Sequence, residues 1–322
     1  MAFNIIFILI GFVFLIVGAD VLVKGASNIA KRFGIPEVII GLTIVCIGTS
    51  MPELFITITS ATKGYTDLIV GNAVGSNLCN LLLILGLVSM IRPVKLEKEI
   101  RDIHLPIAIF ATLLVLFIGN TVIFSDKFAI SQIEGIILLI LFILYFSYPI
   151  IIAIRDIIKT EEKEKITHHK KHISIFTSMI YIILGVILLK YGGDFVVDNS
   201  EIIAAYFGIS EHIIGLTIVA IGTALPELVT SIIAVIKKDS GLAVGNLIGS
   251  SMLNLWLILG IGSVITPLVY TPDLNITLII LAIATFLVWI FGYIGKKYTI
   301  TRPKATILLS LFLFYIIRIF LV

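Results

Sequence analysis

Apolar residues in this chain fall in long unbroken runs, each about as long as a bilayer is thick. A helix needs about 20 apolar residues to cross the hydrocarbon core. The pattern predicts ten such helices, at residues 3–23, 36–62, 68–91, 103–120, 128–154, 175–191, 209–236, 242–265, 274–294 and 303–321. The one long polar stretch, residues 155–172, divides them into two sets of five. The expected fold class is an all-α membrane protein of ten transmembrane helices. Residues 1–154 form the first set, 155–172 a linker and 173–322 the second set. The first run has no basic segment ahead of it, so it reads as a membrane helix and not as a cleaved leader.

The two sets are copies of one another. The stretch GLTIVCIGTSMPE at 41–53 returns as GLTIVAIGTALPE at 215–227, and GNAVGSN at 71–77 returns as GNLIGSS at 245–251. Gly41 and Gly215, Glu53 and Glu227, and Asn80 and Asn254 are each 174 residues apart. The register holds without a gap from residues 18–93 to residues 192–267. Five helices is an odd number, so the second copy must enter the membrane upside down. Inverted repeats of this kind are a transporter architecture, with the site near the midplane where the repeats meet.

Composition strengthens the membrane reading. The chain is 59% hydrophobic and 13% charged, with mean hydropathy +1.17, and a soluble domain of 322 residues cannot bury that much apolar surface. The lipid bilayer is therefore its first partner. The net charge of +3 does not point to nucleic acid, because the basic residues sit in short loops. Those loops set orientation instead. With the N-terminus outside, Lys24, Lys31, Arg32, Arg92, Lys95, Lys98, Arg101, Arg155, Lys159, Lys163, Lys165, Lys170, Lys171, Lys237, Lys238, Lys296, Lys297, Arg302 and Lys304 all face inward. Only Lys63, Lys127, Lys190 and Arg318 remain outside. The positive-inside rule thus places both termini outside and the central loop in the cytoplasm of a multi-pass cell-membrane protein. Cys46 and Cys79 lie in apolar segments and read as small buried side chains.

The chemistry follows from two charges in the wrong solvent. Glu53 and Glu227 fall at membrane depth, where a charged side chain costs about 3 kcal/mol on insertion scales. Their duplication asks for a shared positive ligand. Pro52 and Pro226 each remove a helical hydrogen bond, which frees carbonyls near Gly48 and Thr49 and at their mates. Freed carbonyls at depth are tolerated only inside protein or along a cavity. Carbonyl, hydroxyl and carboxylate oxygens together suit hard cations such as Ca²⁺ and Na⁺. Ser76 and Asn80 are four residues apart and share a helix face, as do Ser250 and Asn254. They would add neutral oxygens. Asn72 and Asn246 fit interhelical hydrogen bonding as well as they fit a site. One Ca²⁺ neutralises two carboxylates, and two or more Na⁺ or protons could replace it. Ions competing for the same oxygens are the physical basis of exchange. No nucleophile–base pair or phosphate loop points to an enzyme, and no resident cofactor is called for.

These residues carry a resemblance. The chain resembles the sodium/calcium exchanger family, within the cation/Ca²⁺ exchanger superfamily and particularly its prokaryotic members. The blocks at 41–80 and 215–254 correspond to that family's two repeat blocks, and the likeness covers nearly the whole chain. It implies Ca²⁺ held by Glu53 and Glu227 with the carbonyls of Thr49 and Thr223. It implies flanking Na⁺ sites using Ser50, Ser76 and Ser250, the carbonyls of Cys46 and Ala220, and the neighbourhood of Asn80 and Asn254. It also implies alternating access by sliding of the first and sixth helices. Two departures matter. Ala224 stands where a serine is common, and Asn254 stands where many members have an aspartate. Both leave the Ca²⁺ ligands intact but open Na⁺ or H⁺ as the driving ion.

The expected function is Ca²⁺/Na⁺ antiport by one chain, a monomer. Ca²⁺/H⁺ antiport is the first alternative. A cation channel is the second, disfavoured because channels usually build filters from subunits around an axis. Asp20 and Asp194 are mates that fit gating or an interfacial cap. His168, His169 and His172 with Lys170 and Lys171 read as a solvated linker. His104 and His212 have no assigned partner, and Trp256 and Trp289 read as packing or interface residues.

Overall fold

Long apolar runs without helix breakers form long helices, and the computed structural model is built almost wholly from them. It describes residues 2–120, 128–164, 174–207, 220–295 and 298–321. The linker residues His168, His169, Lys170, Lys171 and His172, together with His212 and positions 215–219 of the second block, lie outside these. The helices are α1 (Ala2–Phe33), α2 (Glu37–Thr49), α3 (Met51–Lys63), α4 (66–91), α5 (Ile100–Asn120) and α6 (Gln132–Glu164). They continue with α7 (Ile175–Tyr206), α8 (Ala220–Thr223), α9 (Leu225–Ile236), α10 (Ser240–Ile265), α11 (Asp273–Phe291) and α12 (Arg302–Leu321). Seven of the described helices are long and apolar enough to cross a membrane, or eight if the bent pair α2–α3 is one span. Phe3, Leu9, Ile143, Leu144, Phe176, Leu313 and Phe314 are each at least 60% exposed. Large apolar side chains facing outward in this number mark a lipid-facing surface.

Two differences from the hydropathy pattern have simple causes. Helices α1, α6 and α7 run well beyond their apolar runs, to Phe33, Glu164 and Tyr206. The run length reports the lipid-embedded part, and no Gly-Pro signal stops the helix where the polar residues begin. The chain is also not purely helical. Four two-residue strands occur among the described residues: β1 (Val94–Lys95), β2 (Ala129–Ile130), β3 (Leu268–Val269) and β4 (Thr299–Ile300). They are too short to leave a periodic signal.

The chain divides into two compact units, Met1–Met51 with Pro149–Asn246, and Pro52–Tyr148 with Leu247–Val322. In the first unit, α1 and α7 cross at glycines. A Cβ on Gly11 would lie 2.8 Å from the Gly192 carbonyl oxygen, and one on Gly18 would lie 3.0 Å from that of Gly185. Gly185 and Gly192 are the repeat mates of Gly11 and Gly18. Lipid tails are as apolar as leucine, so helices in a membrane associate through close contact of small residues. The later part of α1 is tied to the end of α9. Ser27 Oγ donates to Asp239 Oδ2 at 2.5 Å, and Lys237 Nζ reaches Asp20 Oδ1 at 2.7 Å.

In the second unit α5 packs along α11. Strand β1 pairs antiparallel with β4, with Val94 opposite Ile300, and β2 pairs with β3, with Ile130 opposite Leu268. β1 and β3 are repeat mates, each following an X-Pro pair that ends a helix, and each pairs with a strand from the other half of the sequence. π-helical segments at Cys79–Ile84 and Leu253–Ile258 also keep the repeat offset. Between the spans, Tyr270 donates to Asn275 Oδ1, and burial pushes its hydroxyl up to about 12.

Candidate ion-binding site

Both signature glutamates lie at a helix break. Helix α2 ends at Thr49, Ser50 takes φ −90° and ψ 9°, and α3 starts at Met51 with a bend of 46°. In the second copy α8 ends at Thr223, Ala224 takes φ −86° and ψ 0°, and α9 starts at Leu225. The prolines therefore sit in the first turn of the second helix of each pair, where a missing N–H costs little. Pro52 nonetheless has no N–H to offer the Gly48 carbonyl. A helix C-terminus carries open carbonyls and partial negative charge. A glutamate in the first turn of the next helix lies at its positive end. Each break thus places a carboxylate within one turn of open carbonyl oxygens.

In the first unit, Ser50 Oγ donates to Glu227 Oε1 at 2.9 Å. Thr49 Oγ1 donates to Asn246 Oδ1 at 3.0 Å, and the Asn246 amide donates to Ser231 Oγ at 3.4 Å. The Thr49 hydroxyl thereby ties α2 to Asn246 of α10. The Cys46 carbonyl accepts from the Ser50 N–H at 3.0 Å and lies 3.3 Å from Thr49 Oγ1. The Cys46 thiol turns back to the carbonyls of Leu42 and Thr43. Cys46 and Cys79 are both free and buried. Thr223 is buried, and Ala220 opens α8. Gly41 brings α2 against α10: a Cβ there would lie 2.4 Å from the Leu242 carbonyl oxygen, and one on Gly245 would lie 2.3 Å from that of Val38.

In the second unit, Glu53, Ser76, Asn80, Ser250 and Asn254 are all buried. Asn77 donates to the Ser251 carbonyl at 3.0 Å, and Asn254 donates to Asn77 Oδ1 at 3.0 Å. Ser76 Oγ, Asn80 Oδ1 and Asn254 Oδ1 are buried oxygens with no hydrogen-bond partner among the described residues. Glu53 and Glu227 are each 1% exposed. Outside both blocks, His104 Nδ1 lies 2.7 Å from the Tyr145 hydroxyl, which supplies the partner the sequence did not name.

Sequence reasoning missed three polar residues. Asn77 sits inside a quoted motif but acts through another side chain, so motif spacing does not reveal it; Asn246, which fitted either role in the sequence, makes an interhelical hydrogen bond with Thr49. Thr57 and Thr230 are buried hydroxyls without a partner among the described residues. They stand four and three residues after Glu53 and Glu227, and that helical spacing was the available signal.

A helical membrane protein whose broken helices carry buried carboxylates and bare neutral oxygens is, by class, one built to handle cations. Its sequence matches the sodium/calcium exchanger protein family over residues 3–151 and 177–321. It is 35% identical to the inner membrane protein YrbG of Escherichia coli K12 over 271 residues, 82% of each chain. It is 29% identical to the sodium/calcium exchanger MaX1 of Methanosarcina acetivorans, with 98% of each covered. Its fold superposes on the sodium-calcium exchanger NCX_Mj, in crystals soaked with 2.5 mM Na⁺ and 10 mM Sr²⁺, with TM-score 0.83 at 29% identity and 98% of each chain covered. The chain belongs to the sodium/calcium exchanger family, a family of membrane antiporters.

Proposed function

We propose that the protein is a secondary active antiporter that exchanges Ca²⁺ for Na⁺ by alternating access, with Ca²⁺ held by Glu53 and Glu227. The observation that carries this reading is the pair of matched glutamates, each 1% exposed, each in the first turn after a helix break. A Ca²⁺ ion takes six to eight oxygens. The two carboxylates neutralise it, and the carbonyls of Thr49 and Thr223 add neutral ligands. Among the described residues no three His, Cys, Asp or Glu side chains gather, so the remaining ligands come from hydroxyls, amides and the main chain. A hydroxyl that donates to a carboxylate keeps its lone pairs for a cation. Ser50 can therefore hold Glu227 and still face a Na⁺. Ser76, Ser250, Asn80, Asn254 and the carbonyls of Cys46 and Ala220 complete the sites for the driving ion.

The architecture in this reading is ten spans in two inverted repeats of five, with both termini outside and the central loop cytoplasmic. The crossed pairing of β1 with β4 and β2 with β3 and the reciprocal Gly11–Gly192 and Gly18–Gly185 contacts support it, because each contact has its mirror under the repeat. H⁺ as the driving ion is the second reading. Ala224 and Asn254 favour it, since each removes an oxygen that would hold Na⁺.

Purified protein in liposomes tests both. Ca²⁺ uptake is expected under an imposed Na⁺ gradient, and Glu53→Gln and Glu227→Gln are each expected to abolish it. Uptake driven by a pH gradient alone selects the H⁺ reading. Flux retained in both glutamine variants, or indifferent to either gradient, rejects the antiporter.

A further inference from the structure

We infer that Asn77 is a positioning residue that decides which end of the Asn254 amide faces a bound cation. The inference rests on the exchanger reading, in which Asn254 is one of the ligands. Amide oxygen and nitrogen look alike, so the orientation of an asparagine is normally read from its hydrogen bonds. Here the main chain settles it. Asn77 lies 3.0 Å from the Ser251 carbonyl oxygen. A carbonyl only accepts, so Asn77 must turn its NH₂ toward Ser251 and its oxygen away. That oxygen meets Asn254 at 3.0 Å and requires a donor, so Asn254 must turn its own NH₂ toward Asn77. What remains is Asn254 Oδ1, buried and without a hydrogen-bond partner among the described residues. A bare buried acceptor is costly, and a cation is the partner that removes the cost.

The device is one-sided. The repeat mate of Asn77 is Ser251 itself, whose hydroxyl donates to the Leu247 carbonyl at 2.8 Å. A carboxylate at 254 would show an oxygen whichever way it turned. An amide shows an oxygen one way and an N–H the other, and the second repels a cation. Asn77 is what allows a neutral side chain to serve at this position.

The test compares wild type, Asn77→Ala, Asn254→Asp and the double variant in liposomes, reading the half-saturating Ca²⁺ and Na⁺ (or H⁺) of exchange and the thermal midpoint of each protein. Asn77→Ala is expected to raise the half-saturating cation concentration by up to about tenfold, the upper worth of a neutral hydrogen bond. Adding Asn254→Asp is expected to restore it to the level of Asn254→Asp alone. The inference fails if Asn77→Ala leaves both ion dependences unchanged, or if a folded Asn77→Ala protein is not rescued by Asn254→Asp. Asn77→Ser is the second variant should Asn77→Ala not fold, with the same expectations. Failure of both to fold, uncorrected by Asn254→Asp, makes the role structural and also overturns it. Failure of the exchanger reading looks different: wild type itself would ignore both gradients, or Glu53→Gln would keep its flux.

Discussion

The two sequence blocks share a register, a helix break and a first-turn glutamate, yet their polar surroundings are unequal. The first block supplies Ser50, whose hydroxyl holds Glu227 of the second block; the matching position in the second block is Ala224, which has no hydroxyl to return. The first block supplies Asn77, which clamps Asn254; its mate is Ser251. The matched aspartates of α1 and α7 differ too. Asp20 is bound by Lys24 of its own helix at 2.6 Å and by Lys237 at 2.7 Å, whereas Asp194 is bound by Lys190 of its own helix at 2.8 Å. The two copies thus keep the helix break, the glutamate pair and the aspartate pair, and differ in the side chains that hold those acids. Under the proposed exchange, unequal binding of the driving ion by the two blocks is the expected result.

The largest effect should come where the blocks still act as one. Gly41 and Gly245 meet backbone to backbone, with no flexible side chain to give way. Gly41→Ala and Gly245→Ala must push α2 from α10, at a cost of about 1–3 kcal/mol for overpacking. Both should lower the thermal midpoint in detergent and strongly reduce exchange. Equal damage from the two would show that this contact belongs to neither block alone. A neutral outcome for either would mean the helices are not held this closely in the membrane.

A smaller effect should separate the blocks. Ser50→Ala removes one hydroxyl that donates to Glu227. The dependence on the driving ion should weaken by roughly tenfold, about 1.4 kcal/mol, with a smaller drop in the thermal midpoint than either glycine variant shows. Ala224→Ser restores the missing hydroxyl and should move the Na⁺ dependence the opposite way. If Ala224→Ser makes H⁺-driven exchange responsive to Na⁺, the serine–alanine difference is what sets the coupling ion. Identical ion dependence in wild type and both variants would remove these positions from the ion path.

The parts legible in the sequence are those written in long patterns. Runs of apolar residues mark the spans, and the 174-residue offset marks Glu53 and Glu227 as a pair. The Gly-Thr-x-x-Pro-Glu spelling marks a break just ahead of each. What the pattern hid depends on contacts between distant segments. The π segments at Cys79–Ile84 and Leu253–Ile258 use ordinary helix formers, and one extra residue per turn leaves no compositional trace. The two-residue strands are likewise set by which loops meet in pairs. Asn77 reads as one more small polar residue in a glycine-rich helix; only the Ser251 carbonyl beside it reveals what its amide does. The sequence places freed carbonyls near Gly48 and Thr49, and the break falls just beyond them, at Ser50 and Ala224, with the prolines in the first turn of the following helices.

The smallest effect concerns the two aspartates. Asp20 and Lys237 link α1 to the end of α9, and the lysine also donates to the Asp20 carbonyl at 2.8 Å. The pair is about a third exposed on the acid side, and partly exposed ion pairs are worth about 1 kcal/mol or less. Lys237→Gln or Asp20→Asn should therefore change the exchange rate by only a few fold, since about 1.4 kcal/mol corresponds to a factor of ten. Raising the salt concentration should shrink the difference from wild type, because exposed charges are screened. Asp194→Asn removes only a pair along one helix, worth about 0.3–0.5 kcal/mol, so it should fall within about twofold of wild type. An Asp194→Asn effect as large as that of Asp20→Asn would mean that the two ends of the molecule are latched alike. The inequality of the blocks would then stop at the residues around the glutamates.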